Sequence, residues 1–376
     1  VTVSRGGGRE EFAMIINLDQ TTSSAIASAI VKARRSMGSP ATGMVMSLLI
    51  SCTEDEHDAA IDAAIAAGRE HPSRIIVAVT GKGRRTELDA EIRVGEGTPG
   101  EIVILRMSGQ IAAHAASVVR PLLLPDSPVV VWWPGTAPSD LANHELGRLG
   151  NRRISDAMGA ARPLRALRLR ADNYHPGDTD LAWTRITPWR SLLAAALDQY
   201  PAKVLSATVT AERNSAAANL LVAWLTSRLG VQVSRATSQG PGITGATMTT
   251  AAGDIAITRP DGKLASYAVP GQPKRLVALK RRTVADLMSE ELRRMDADDV
   301  FHATIVALQE QPPARQTTRK ATSARKAATK APAKKATAAK AATKKTATKK
   351  TATRKTAAAR TATKKTAATK KASGRS

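Results

Sequence analysis

The stretch Pro121-Leu-Leu-Leu-Pro-Asp-Ser-Pro-Val-Val-Val-Trp-Trp-Pro-Gly135 decides how this chain is read. It reads as the end of a helix, a proline-bounded turn, and an apolar strand over residues 129–133. A strand without polar alternation is buried on both faces. Pro134-Gly135 ends it, because proline cannot donate to a ladder and glycine tolerates a turn. Trp132 and Trp133 are neighbours on a strand, so they point to opposite faces. One is expected to anchor a core, the other to pack under a neighbouring layer or lie near a surface. This is the expected central strand of a folded domain, close to a functional rim.

Working upstream, residues 21–37 read as a helix, with capping oxygens at its start and Ile26, Ile30 and Val31 at helical spacing. A loop over residues 40–43 and an apolar run over residues 44–52 follow. Thr53-Glu-Asp-Glu56 has the Thr-x-x-Glu spacing of a capping box, and the next helix runs to about residue 69. Pro72 leads to a strand over residues 75–80. Strand, helix, strand favours a parallel sheet. A dinucleotide site on such a unit needs a glycine-rich turn after the first strand, so that backbone can approach phosphate. Here the turn has no glycine and three carboxylates, which argues against a nucleotide cofactor. Gly81-Lys-Gly83 reads as a surface turn. Strands are expected over residues 88–94 and 101–107, and a helix over residues 110–124. Short helices are expected over residues 141–149 and 162–169, with Asn151-Arg-Arg-Ile-Ser-Asp156 in their link.

Downstream, residues 174–190 are the densest polar-aromatic segment. Pro176-Gly177 turns the chain, Asp178 or Thr179 can cap a helix starting near Asp180, and Pro188 is expected to kink or restart it. A strand over residues 203–210 and a helix over residues 215–229, stopped by Gly230, come next. Five short runs over residues 231–279 then read as an antiparallel meander with turns at Gly253-Asp254 and Asp261-Gly262. Two helices, residues 283–294 and 297–308, close the fold. The expected class is α/β: a Rossmann-like, mostly parallel N-terminal sheet with flanking helices (residues 14–160), an α+β C-terminal domain with the meander (residues 161–311), and a disordered basic tail (residues 312–376). Residues 1–13 are polar and glycine-rich with little to bury, and are expected to be disordered or to precede a true start at Met14.

Of the +24 net charge, the tail supplies most. From Pro312 onward there are 21 Lys/Arg and no Asp/Glu, leaving 35 basic against 32 acidic residues in the body. The single cysteine, Cys52, excludes an intrachain disulfide and a multi-cysteine metal site and fits a cytosolic setting. The six histidines have no ligand spacing, no Gly-x-Ser-x-Gly elbow occurs, and no apolar run is long enough to span a membrane. Asp178 and Asp180 have the residue type for acid–base work, but a helix cap plus an ion pair is the favoured explanation. Nothing rises to a catalytic constellation.

Several stretches resemble the actinobacterial glucose-6-phosphate dehydrogenase assembly protein, the OpcA family. They are Arg69-Glu-His-Pro-Ser-Arg74, Leu88-Asp-Ala-Glu-Ile-Arg-Val-Gly95, Pro121 to Gly135, Arg152-Arg-Ile-Ser-Asp156, Pro176-Gly-Asp-Thr-Asp-Leu-Ala-Trp-Thr-Arg185 and Glu290-Glu-Leu-Arg-Arg-Met-Asp296. The likeness is colinear over about residues 14–308. It implies a non-enzymatic cytosolic subunit that binds glucose-6-phosphate dehydrogenase, without a cofactor, and promotes its assembly or activity in the oxidative pentose phosphate pathway. The dehydrogenase's own Arg-Ile-Asp-His-Tyr signature is absent. Binding anchors tend to be Trp, Tyr and Arg, so the expected partner contacts are Arg152, Arg153, Tyr174, Asp178, Asp180, Trp183, Arg185, Trp189 and Arg190. The alternative is that this segment is an internal clamp whose Asp and Arg residues pair with one another.

The tail is almost wholly Lys, Arg, Ala and Thr and resembles linker-histone tails; the family implies nothing about it. Without large apolar residues it cannot build a core. Ten of its fifteen lysines come in adjacent pairs: Lys334 and Lys335, Lys344 and Lys345, Lys349 and Lys350, Lys364 and Lys365, Lys370 and Lys371. Such pairs suit phosphate neutralisation on DNA or RNA without base reading. A nucleic-acid-binding architectural protein, associated with the nucleoid, is therefore the competing reading of the chain, and an α/β enzyme with an unseen site a third. If the lysines act this way, the full chain binds duplex DNA with an affinity that falls steeply between about 50 and 200 mM salt. Fluorescence anisotropy checks this, and a salt-independent affinity contradicts phosphate contacts.

Overall fold

The computed structural model describes residues 2–4, 14–37, 43–81, 83–95 and 100–311. The chain divides into two units, Val1–Arg315 and Gln316–Ser376; the fold lies in the first. The lysines expected to meet nucleic acid all lie outside the described residues: Lys334, Lys335, Lys344, Lys345, Lys349, Lys350, Lys364, Lys365, Lys370 and Lys371. So do most of residues 1–13.

The first sheet has nine strands: β1 (Thr2–Ser4), β2 (Met14–Leu18), β3 (Met46–Cys52), β4 (Ser73–Thr80), β5 (Glu87–Val94), β6 (Ile102–Ser108), β7 (Val129–Trp133), β8 (Arg152–Ser155) and β9 (Asp178–Asp180). They lie in the order β1-β2-β5-β6-β4-β3-β7-β8-β9. The run from β6 to β9 is parallel throughout. Taken in chain order, those six strands are arranged 3-2-1-4-5-6, the order of a doubly wound nucleotide-binding sheet. The expected mostly parallel, Rossmann-like sheet is present.

β7 sits between β3 and β8, and all five of its side chains are buried. Trp133 packs on one face with Ile26 and Ile30 of helix α1 (Ser23–Met37), Val119 of the short α3 (Ala115–Val119), and Leu141. Trp132 packs on the other with Ile61 and Ile65 of α2 (His57–Gly68) and Leu287 and Met288 of α8 (Val284–Glu291). Both tryptophans are 2 % exposed or less, so each anchors a separate core, one on either side of the sheet.

The second sheet has six strands: β10 (Val204–Ala211), β11 (Val233–Thr237), β12 (Ile243–Thr250), β13 (Gly253–Thr258), β14 (Leu264–Ala268) and β15 (Arg275–Ala278), in the order β11-β10-β12-β13-β14-β15. β12 to β15 form the expected antiparallel meander. β11 departs from it: it pairs parallel with β10 on the far edge, because the intervening α7 (Ala216–Leu229) makes a crossover rather than a hairpin. Ser215 caps α7 through its hydroxyl and Gly230, at φ 62°, ends it. One face of this sheet is covered by α7 and by α4 (Pro163–Asp172), α5 (Leu181–Arg185), α6 (Thr187–Gln199) and α9 (Asp299–Glu310).

Several local expectations need correction. The helix expected over residues 110–124 is broken into 3-10 turns around α3. Glu145 accepts the N–H groups of Ala115 (3.2 Å) and Ala116 (3.5 Å), so the helix restarts there, and Pro121 withholds a donor further on. Residues 141–149 form turns ending in a 3-10 turn. Of the capping box, only the Thr53 N–H to Glu56 bond forms (3.0 Å), and the helix starts at His57 without a side-chain cap. The link at residues 151–156 contains strand β8. Residues 178–180, read as a helix cap, form β9 and carry the first sheet past residue 160. β2 has no counterpart among the expected strands, and β1 pairs with it from within the extension at the start.

Gly147 is required by close approach: a Cβ there would lie 1.7 Å from the Leu141 carbonyl oxygen. Gly147→Ala is expected to cost about 2 kcal/mol, since backbone must move. A urea midpoint equal to that of the parent chain would mean that the approach is not tight.

Candidate functional site

β8 and β9 place a basic strand beside an acidic one in register: Arg153 faces Asp178, and Ser155 faces Asp180. The turn before β9 depends on Gly177 at φ 92°. Arg153 Nε donates to Asp178, and its two terminal nitrogens donate to the Gly150 (3.1 Å) and Pro176 (2.6 Å) carbonyls. The second Asp178 oxygen accepts the His175 N–H at 2.9 Å. Burial pushes the Asp178 carboxyl above its ordinary range in spite of Arg153. Asp180 accepts from Ser155 Oγ (2.6 Å) and from the N–H groups of Ala157 (2.9 Å) and Ala182 (2.9 Å), the last of which caps α5. Burial drives its carboxyl up, the Arg170 charge opposes this, and neighbouring Asp156 adds to it.

Arg152 reaches α8. Its guanidinium donates to Glu291 at 2.6 Å and to the Asp296 carbonyl at 2.8 Å, and the two side chains are 3 % and 6 % exposed. The other Glu291 oxygen accepts the Thr184 hydroxyl. Asp156 receives both terminal nitrogens of Arg185 at 2.7 Å, a bidentate pair. Trp183 Nε1 donates to Asp298 at 2.9 Å, and Asp298 also caps α9 through the Val300 and Phe301 N–H groups. Burial raises the Asp298 carboxyl, but hydrogen bonds from Phe301 and Trp183 and the charge of Arg190 bring it below its ordinary value. The Arg190 guanidinium lies 3.6 Å from the Trp183 ring centroid, a cation–π stack, and burial lowers its pKa to about 10.

The nine residues expected to meet a partner are thus brought into one region. Tyr174 is half-buried against Phe301 and His302 of α9, and Trp189 is core, with Arg259 stacked 5.0 Å from its ring. Arg152, Arg153, Asp178, Asp180, Trp183 and Trp189 are buried, and the first five direct polar groups to other groups of the same chain. Arg185 keeps part of its side chain at the surface. The sequence reading missed Glu291 and Asp298, the carboxylates that receive Arg152 and Trp183. Asp298 carries a signal, an Asp just ahead of a helical run; a buried Glu on an amphipathic helix carries none.

At the crevice between β3 and β7, where the strand order reverses, no glycine-rich loop forms. Gly135 lies against Glu56, since a Cβ on it would stand 1.8 Å from Glu56 Oε1. Glu54 pairs there with Arg106 at 3.1 Å. Cys52, at the end of β3, is buried, and burial together with Glu56 and Glu54 pushes its thiol up to about 12. Among the described residues no group of His, Cys, Asp and Glu is arranged to hold a metal, and no helix is long and apolar enough to cross a membrane.

Fold and cluster together define a two-sheet α/β protein, locked by buried ion pairs, on a nucleotide-type strand order whose crevice holds carboxylates. Residues 64–172 match the family model described as the glucose-6-phosphate dehydrogenase subunit N-terminal domain. Residues 176–305 match the one described as the subunit's C-terminal domain. The chain belongs to the OpcA family, whose members carry a role in glucose-6-phosphate dehydrogenase assembly. No curated protein matches the chain. Among solved structures it is similar to an oxidoreductase from Sinorhizobium meliloti at 10 % identity, over 70 % of this chain and 95 % of that one, with a TM-score of 0.37. A dehydrogenase (MviM) from Clostridium difficile aligns at 6 % identity, over 70 % and 96 %, with a TM-score of 0.36. The family models carry the assignment.

Removing one partner of a buried pair leaves an uncompensated charge, which costs about 3–5 kcal/mol. Arg152→Met is expected to destabilise by that amount, and the double variant Arg152→Met with Glu291→Met to recover most of it. A double-mutant cycle in urea checks this; additive losses would mean that the pair is not coupled.

Proposed function

We propose that this chain is a non-catalytic assembly subunit of glucose-6-phosphate dehydrogenase and raises the enzyme's activity allosterically. The observation that carries the reading is the pair of family matches, which together cover residues 64–172 and 176–305, across both sheets. The lack of a phosphate-cradling turn at the crevice supports a non-catalytic role, because the carboxylates there repel a nucleotide's phosphates. The activation is a population shift. The chain binds the substrate-competent state of the dehydrogenase more tightly than the other, and so favours it. The dehydrogenase feeds NADPH formation in the oxidative pentose phosphate pathway, so the subunit sets how much enzyme is active there.

Within this reading the cluster has a division of labour. Arg152, Arg153, Asp178, Asp180 and Trp189 hold the segment rigid. Tyr174, Arg185 and Arg190, with Trp183 beneath Arg190, present it to the enzyme. The tail makes separate, non-specific contacts with polyanions: its 21 Lys/Arg against no Asp/Glu favour this.

The test is titration of purified dehydrogenase with the chain, following assembly state by sedimentation and KM for glucose 6-phosphate. Couplings between sites typically amount to about fivefold or more, so a KM shift of that size is expected. An unchanged KM and an unchanged assembly state overturn the proposal. Arg185→Ala, with its melting temperature measured alongside, is expected to weaken activation by about fivefold. Full activation by that variant would remove Arg185 from the contact surface.

A further inference from the structure

Among the described residues the second sheet has one covered face and one open face. Its register assigns two complete rows to the open face. The first crosses β11 to β14 as Ser234, Thr208, Thr247, Ala256 and Ala268. The second crosses β11 to β15 as Ala236, Thr210, Gly245, Thr258, Ser266 and Leu276. Neither row contains a charge. The six strands together carry three charged residues. Arg235 is turned toward α7, where it binds Asn219, and Arg275 stands opposite buried Tyr267 on the other side. Asp254 lies on the open side at the start of β13, at the end of a shorter third row with Ser206 and Thr249.

Large aliphatic side chains border these rows. Leu205, at an irregularity in the β10–β12 register, is 54 % exposed, Leu264 is 44 % exposed and Leu276 is 72 % exposed. A monomeric antiparallel sheet with a solvated face alternates apolar-in and polar-out, and its outward positions ordinarily include charged residues that discourage association. Apart from Asp254 at its margin, this face has hydroxyls, methyls and leucines in their place.

We propose that two copies of this chain associate face to face through the open side of the β11-β10-β12-β13-β14-β15 sheet. The absence of charge from the two complete rows points to a second copy. A two-fold interface places one patch against itself, so charge at its centre would repel, and a neutral centre with Asp254 held at the margin is self-complementary. Area is sufficient. Six strands about 4.8 Å apart, each about 20 Å long, cover roughly 550 Å² per copy. The total of about 1,100 Å² lies just above the lower limit for a specific interface. Small side chains also let two sheets approach closely and interdigitate, with the strands of the copies crossing at about 30°. Thr247, on a central strand, lies near the two-fold axis, and Leu276 and Leu264 contribute aliphatic area toward the edge.

The experiment is sedimentation equilibrium of the full-length chain at about 0.3 M salt, where long-range charge effects of the tail are screened. The parent chain is expected to dimerise in the micromolar range. Thr247→Lys and Thr247→Glu are each expected to be monomeric, with at least a tenfold weaker association, and an equimolar mixture of the two is expected to restore a dimer. Leu276→Lys lies at an exposed edge position that tolerates any residue; it is expected to weaken the dimer several-fold with an unchanged melting temperature, which serves if the Thr247 variants fail to fold. A parent chain that stays monomeric at about 100 µM overturns the proposal. So does a dimer unaffected by Leu276→Lys and by both Thr247 variants. Loss of dehydrogenase binding in these variants, with no self-association of the parent chain, also overturns it and assigns the face to the enzyme.

Discussion

The Arg152–Glu291 pair fixes how the parts of this protein meet. Arg152 lies on a strand near the edge of the first sheet, and Glu291 at the end of α8, 139 residues later. Two charges so deeply buried are costly unless most of their remaining hydrogen-bonding capacity is satisfied. Here the Asp296 carbonyl takes a second guanidinium proton and Thr184 donates to the second carboxylate oxygen, which leaves Arg152 Nε as the pair's unmatched donor among the described residues. Three segments distant in sequence, β8, α5 and α8, must therefore reach one place together. Hydrophobic burial alone would let α8 slide along α2 at little cost, because Leu287 and Met288 join a broad apolar cluster. A charge pair with fixed geometry sets the register. The same logic recurs in Asp156–Arg185 and Arg153–Asp178, so the rim of the first sheet is specified by polar groups and its centre by apolar ones.

That rim also explains how a nucleotide-type strand order persists beside a crevice that suits no phosphate. In such sheets the ligand lies beyond the carboxyl ends of the strands where the order reverses, against a glycine-rich turn and a helix N-terminus. The order itself follows from right-handed crossovers and packing on both faces, which need no ligand. What a ligand requires is local: a backbone that can approach phosphate, and an absence of negative charge. Glu56, set against Gly135, removes both conditions without altering one strand pairing. Fold and site are separable here, and family membership rather than strand order carries the functional reading.

The parts legible in the sequence were those with a single strong period. The 129–133 run has no polar interruption and could only be a strand buried on both faces. α7 announces both ends, with Ser215 before it and Gly230 after it. The parts that were not legible are those where tertiary pairing overrides local preference. Arg-Arg-Ile-Ser at residues 152–155 carries two charges in four residues and reads as a surface link. It is a strand because Asp178 and Glu291 arrive from elsewhere to neutralise those charges. Asp178-Thr-Asp180 fails for the mirror-image reason: Asp and Thr at the start of a helix are good caps, and Asp180 does cap α5, but the two residues before it pair with β8 first. No pattern within either segment contains the other, although side by side they read as complementary strands.

Charge is distributed in this body against the usual rule. Ionisable groups are ordinarily left on the surface, since burial costs several kcal/mol per ion, and open sheet faces are kept polar. Here arginines and carboxylates are drawn into the junction of β8, β9, α5 and α8, while the second sheet turns outward a face of threonine, alanine and leucine with Asp254 at its margin. Each choice is costly taken singly. Taken together they are consistent with a protein whose interior needs positional precision and whose exterior needs to adhere. Ion pairs with fixed geometry supply the first, because misplacing one leaves a buried charge. A sheet face with a single charge at its margin supplies the second, because it holds little that must be desolvated at great cost before another surface can close on it.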